Sequence, residues 1–208
     1  MLNKTIFILL IGFCIPVHAQ KVLFKEWEAS GISTLKINTD DVYIINIHTV
    51  KTDKIKVETS VEGETYENVV LEVFREKEVL VLKTGFSPFF KPENDKLAAN
   101  KALSIEMNIT LPEEMSIDIT SQLASVIASG NYKNFYSGLG NGTCLLKNFK
   151  GNAIVNTKQG FITVYAQNNV RGSAFSKHGE VINQLPSSGK YSIKAESISG
   201  KITLLQTK

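Results

Sequence analysis

Cysteine is nearly absent from this 208-residue chain: there are two, Cys14 and Cys144. Cys14 lies in an apolar leader, so beyond it only Cys144 remains and an intramolecular disulfide is excluded. Cys144 falls in an apolar column of a repeat and reads as a small buried hydrophobe, not a reactive thiol. Histidine is nearly as scarce: of three, His18 lies in the same leader. His48 and His178 sit in opposite halves, and neither has a second ligand at metal spacing. Carboxylates are rare in the second half, where residues 121–208 hold only Glu180 and Glu196. Polysaccharide-cleaving enzymes need clustered carboxylates, or a base with calcium, so a glycan-cleaving β-helix enzyme is the weakest reading. It would rest on Glu180 and Glu196 facing one side. The nucleophile elbow, the phosphate loop and the dinucleotide fingerprint are all missing. No cofactor is implied.

The first 19 residues carry one charge, Lys4, then an apolar run over residues 6–17, then Val17-His18-Ala19. That is the pattern of a cleavable signal peptide, and the run is short for a membrane span. Phe13 precedes Cys14, where a lipoprotein signal wants a small residue. The expected organisation is therefore a signal peptide over 1–19 and a single all-β domain over 20–208. No second segment could span a membrane.

What the chain does have is a repeat. Ala124-Ser125-Val126-Ile127-Ala128, Gly142-Thr143-Cys144-Leu145-Leu146, Gly160-Phe161-Ile162-Thr163-Val164, Gly179-Glu180-Val181-Ile182-Asn183 and Gly200-Lys201-Ile202-Thr203-Leu204 align at steps of 18, 18, 19 and 21 residues. Such a period marks a solenoid, in which each coil covers the apolar face of the last. Alternate residues share a face of a strand, and the inner columns are apolar apart from Asn183. Second strands fall between the corners, at 153–155, 173–175 and 191–195. The alternative is an antiparallel meander with glycine turns. The expected fold is thus all-β, with a right-handed parallel β-helix-like solenoid over 121–208. It continues from alternating strands over 20–120, among them 35–37, 43–47, 55–58, 71–73, 79–82, 103–109 and 115–119. Glu76-Lys77-Glu78 reads as a hairpin turn.

Charge divides the same way. Residues 20–120 hold 12 Lys/Arg against 18 Asp/Glu, a net −6; residues 121–208 hold 10 against 2, a net +8. Lys147, Lys158, Arg171, Lys177, Lys190, Lys194 and Lys201 are candidate polyanion-binding residues if a regular fold lines them up. They could equally be scattered and solvated, or face the acidic half of a neighbouring copy. A loop, Gly85-Phe86-Ser87-Pro88-Phe89-Phe90-Lys91-Pro92, breaks the strand rhythm. Phe86, Phe89 and Phe90 are candidate partner contacts, or else cover an open end of the solenoid.

The leader, the early strands, Ile109-Thr110-Leu111-Pro112-Glu113-Glu114-Met115-Ser116-Ile117-Asp118-Ile119 and the glycine-started strands together resemble the auto-transporter adhesin (head GIN domain) family. They resemble its sister group of adhesins, a domain of unknown function, equally well. The resemblance covers most of residues 30–208 and departs at Ala124, where a glycine is expected, and in the Phe/Pro loop. It implies a right-handed β-helix-like fold, export, a role at the bacterial cell envelope and no recognised catalytic site. The leading expectation is an exported, non-enzymatic, adhesin-like protein, periplasmic or on the cell surface. It would bind or organise envelope components, anionic glycans among them, and not nucleic acid. The alternative is a protein-interaction module in envelope sensing or assembly. Self-association is left open.

Overall fold

The computed structural model describes residues 20–63, 66–88 and 104–207. The signal peptide assigned to residues 1–19, and Phe89 and Phe90, lie outside the described residues. The described residues are all-β, in fifteen strands. They are β1 (Gln20–Glu28), β2 (Thr34–Asn38), β3 (Ile44–Val50), β4 (Lys54–Glu62), β5 (Val69–Glu76), β6 (Val79–Phe86), β7 (Ser104–Pro112) and β8 (Ser116–Ser121), then β9 (Ser125–Leu139), β10 (Cys144–Thr157), β11 (Ile162–Ala166), β12 (Val170–Ser176), β13 (Val181–Asn183), β14 (Tyr191–Ser197) and β15 (Ile202–Gln206). The strands anticipated in the first half appear, and the β5–β6 hairpin turns at Lys77, whose φ is 55°.

All fifteen belong to one sheet, with two ladders. The first runs β1-β4-β7-β3-β9-β10-β11-β15-β13; the second runs β5-β6-β2-β8-β9-β10-β14-β12. β9 and β10 belong to both because each is long enough to bend from one ladder into the other. The bends fall at Gly130 and Gly151, whose φ values of 105° and 141° suit a residue with no Cβ. The sheet wraps almost back on itself, like a nearly closed barrel. At the outer strands of the two ladders, Lys21 Nζ on β1 donates to the Glu67 and Val69 carbonyls and Lys25 Nζ to the Leu71 carbonyl of β5. These bonds occupy a strand edge that would otherwise be open to another chain.

Only β1–β4, β4–β7 and β5–β6 are antiparallel; every pair from β8 onward is parallel. The meander alternative is thereby excluded. The repeat columns stack as the alternation requires: Val126 lies beside Cys144, Cys144 beside Ile162, and Ile162 beside Ile202, all buried.

The order of the rungs departs from the sequence. β15 pairs with β11 and β13, and β14 pairs with β10 and β12. The last two strands of the chain, β14 and β15, therefore insert between β10 and β12 and between β11 and β13, and β12 and β13 form the end. The expectation that each coil covers its predecessor is corrected here. The physical reason is composition. Ile202 and Leu204 on β15 are apolar enough to be covered on both sides and are fully buried, whereas β13 offers Val181, 40% exposed, and Asn183. Leu185 folds under this end and is buried, and the Asn183 side chain donates to the Gly172 carbonyl.

Two devices hold the parallel strands in register. Ala124, Gly142, Gly160, Gly200 and Gly179 stack, and a Cβ on Gly142 or Gly160 would overlap the carbonyl of the residue beneath it. One turn earlier, a hydroxyl sits three residues before each stacked position except Gly142. Ser121, Ser176 and Ser197 accept from the Ala124, Gly179 and Gly200 N–H groups, and Thr157 donates to the Gly160 carbonyl. These corners satisfy backbone groups that burial would otherwise leave unpaired. At the opposite bend Tyr132, Phe135 and Phe149 pack with ring centroids 5.5–5.8 Å apart. No helix among the described residues is long and apolar enough to cross a membrane.

Candidate functional site

Strand alternation decides what the second ladder shows to solvent. With Ala153, Val155, Ile193 and Ala195 buried, the outward residues of β10 are Asn152, Ile154 and Asn156, and those of β14 are Ser192, Lys194 and Glu196. On β12 they are Arg171, Ser173 and Phe175. Parallel register sets Arg171 beside Ser192 and Ser192 beside Asn152, whose Oδ1 accepts from the Ser192 N–H at 3.2 Å. A shallow pocket of about 340 Å³ lies here, lined by Arg171, Ser173, Ser187, Ser192 and Lys194.

At one end of these strands is an open groove of about 690 Å³. Asn148, Lys150, Gln167, Asn168, Asn169, Lys190, Tyr191 and Thr207 line it. Lys150 and Lys190 place their ammonium groups 6.0 and 5.1 Å from the centre of the Tyr191 ring, within cation–π range. Asn148 and Asn169 take positive φ values of 46° and 65°, which asparagine tolerates at a turn. Gln167 Nε2 donates to the Asn148 carbonyl at 3.0 Å, and Gln206 Nε2 to Asn168 Oδ1. The groove thus combines an aromatic ring, several amides and two cations.

At the other end is a hollow of about 560 Å³ beside the hydroxyl corners, with Lys158 and Lys177 in its lining. From groove to hollow the strands span about 20 Å, at 3.3 Å per residue over the seven residues of β12.

Of the seven basic residues singled out from the sequence, Lys158, Arg171, Lys177, Lys190 and Lys194 lie along this face and its two ends. Lys147 and Lys201 do not; they belong to the first ladder and the turn leading into it. Two of the seven are paired: Lys194 Nζ is 2.8 Å from Glu196 and Lys201 Nζ is 2.8 Å from Glu180. Among the described residues, no carboxylate lies within ion-pair distance of Lys150, Lys158, Arg171, Lys177 or Lys190. The reading that put Glu180 and Glu196 on one side is corrected: they fall on different ladders, because β13 and β14 do. Phe86 ends β6 opposite Val69 and packs, half-buried, against the core.

Tyr191 and the corner amides were not singled out in advance. Tyr191 opens β14 just after Gly189-Lys190, a clue to a turn but not to what the turn faces. Cys144 is buried, and burial pushes its thiol up to about 12.

No family model matches the chain, and no curated protein does. Solved structures do. One, described as a "putative cell adhesion protein" from Clostridium sporogenes ATCC 15579, aligns over 90% of this chain and 99% of its own with a TM-score of 0.62 at 22% identity. A second, a "putative adhesin" from Bacteroides fragilis NCTC 9343, covers 89% and 97% with a TM-score of 0.48 at 12% identity. The first of these establishes a shared fold.

Proposed function

We propose that this chain is an exported, non-enzymatic cell-envelope protein of the adhesin type, and that the outer face of its second ladder binds an anionic glycan. The observation that carries the reading is the gathering of Arg171, Lys194, Lys190 and Lys150 with Tyr191 and a set of amides along one open face. Extended polymers suit such a face: strands about 4.8 Å apart repeat weak contacts at regular steps, and Arg171, Lys190 and Lys150, which have no ion-pair partner among the described residues, draw an acidic chain to them. Amides and a half-exposed aromatic ring supply the hydrogen bonds and the flat apolar surface that a sugar ring uses.

The adhesion names given to the fold neighbours agree with this reading, as does the resemblance to the head GIN domain group. Export follows from the leader over residues 1–19. The reading treats residues 20–208 as one domain, and the two ladders as faces of a right-handed parallel β-helix-like solenoid.

The test is binding to a polyuronate across a salt series. The Debye length shrinks from about 30 Å at 0.01 M to about 8 Å at 0.15 M, so affinity should fall steeply between those conditions. Binding that ignores salt would remove the electrostatic basis of the proposal.

A further inference from the structure

The hollow at the far end of the basic face is unlike the groove at its near end. Its floor is Gly138 and Gly140, and its walls include Leu139, Phe175 and Ile198. Phe175 is 63% exposed and Ile198 49% exposed. Neither is needed to complete the core. Phe175 points outward from β12, and Ile198 occupies a solvent-facing corner position that Lys158 and Lys177 fill in the neighbouring coils. Gly138 is not forced by its backbone either. A Cβ there would meet only the Tyr136 ring, its hydroxyl at 3.1 Å, a contact a flexible side chain can relieve. At Gly140 a Cβ would overlap the Gln122 backbone, so that glycine is required by the packing; at Gly138 the fold leaves the recess open where it has no need to.

The recess is not isolated. Lys158 and Lys177 stand in its lining, with Asn156 and Gln122 beside them, and Glu196 there is tied to Lys194. Apolar walls with a few placed polar groups are the composition of a small-molecule site, and the volume lies in the usual range for one. The saccharide face runs directly into it along β12 and β14. A ligand matching both parts has an acidic saccharide and an apolar branch, with its anionic group near the junction.

We propose that the hollow receives an acyl chain of an acidic glycolipid whose saccharide lies along β12 and β14, a proposal that rests on the glycan-binding reading above. Lys158 and Lys177 meet the phosphate or carboxylate at the junction, while Phe175, Ile198 and the glycine floor cover the chain's methylenes. Covering a few methylenes strengthens binding by roughly ten-fold or more.

The experiment compares three probes by calorimetry: a polyuronate, a short-chain acylated glucosamine phosphate soluble as a monomer, and its deacylated parent. The acylated probe should bind at least ~10-fold more tightly than the parent. Ile198→Ser, at a corner position off the saccharide strands, should cut that advantage and leave the parent's affinity alone. Gly138→Leu, which fills the floor from below, should do the same, and both variants should keep the wild-type melting temperature. Equal affinity for acylated and parent probes, with polyuronate still bound, would overturn the acyl site and leave the glycan reading standing. So would an acyl advantage that survives both variants. Failure to bind any of the three would overturn both.

Discussion

The two ladders are built alike inside and differ outside. Both turn apolar residues inward, and both hang on the same stack of glycines and hydroxyl corners. Outward, the first ladder shows Ile127, Leu145, Thr163, Thr203 and Leu205 across neighbouring rungs, with Lys147 and with Lys201 paired to Glu180. The second shows Arg171, Ser173, Asn152, Asn156, Ser192 and the Lys194–Glu196 pair, with Ile154 and Phe175 among them, and ends in two recesses that gather four more lysines. The inner columns are dictated by the fold, so they say nothing of function. The outer columns are free to vary, so the contrast between them is where function is written.

If that division is right, interior changes cost stability and outer-face changes cost binding. The largest expected effect is at the glycine stack. A Cβ on Gly160 would overlap the Gly142 backbone carbonyl, which cannot move without shifting a whole coil. Gly160→Val should lower unfolding free energy by more than about 4 kcal/mol in urea, or prevent folding. A variant of near wild-type stability would mean the stack is not the spine.

Next is the aromatic cluster at the opposite bend. Phe149→Ala removes a fully buried ring packed on Tyr132 and Phe135 and should cost about 3–5 kcal/mol. A cost as small as that of a surface substitution would show that the bend is held by the strands alone.

A smaller effect is expected of pH at Cys144. Burial raises its pKa from 9.0 to about 12, so above pH 9 the unfolded chain loses a proton that the folded chain keeps. Stability should then fall with rising pH between those values, by ~1.4 kcal/mol per unit from this group, and be unaffected by it below pH 9. Cys144→Ala should remove that component when the two proteins are compared across the same alkaline series. An unchanged slope in the variant would mean the thiol is reachable by water.

Much of the interior was legible in the sequence because two constraints coincide there. The period of the glycines and the alternation of Val126, Cys144, Ile162 and Ile202 point to the same columns, and the structure stacks them so. Rung order was not legible, since five rungs with similar inner residues fit one another almost equally well. A clue was present: Val181-Ile182-Asn183 is the poorest of the apolar rungs, which suits an end position. The Thr157-x-x-Gly160, Ser176-x-x-Gly179 and Ser197-x-x-Gly200 corners were a second clue, spaced for a side-chain bond to the stacked residue. For the candidate site, the +8 charge of the second half was readable, but its distribution was not. Which face a lysine joins depends on the bends at Gly130 and Gly151, where each long strand passes from one ladder to the other. A break in register at Asn148, where φ is 46°, separates Lys147 from Lys150, three residues apart.

The measurement that bears most directly on the account is polyuronate affinity at low salt for two variants of one protein. Arg171→Ala/Lys190→Ala/Lys194→Ala removes three cations from the second ladder's face around β12 and β14; Lys147→Ala/Lys201→Ala removes two from the first ladder around β10 and β15. The account predicts a loss of ~10-fold or more for the triple variant and less than about 2-fold for the double, with both melting like wild type. Equal losses would mean the protein attracts anions only through its overall charge, and a larger loss for the double variant would place the binding face on the other ladder.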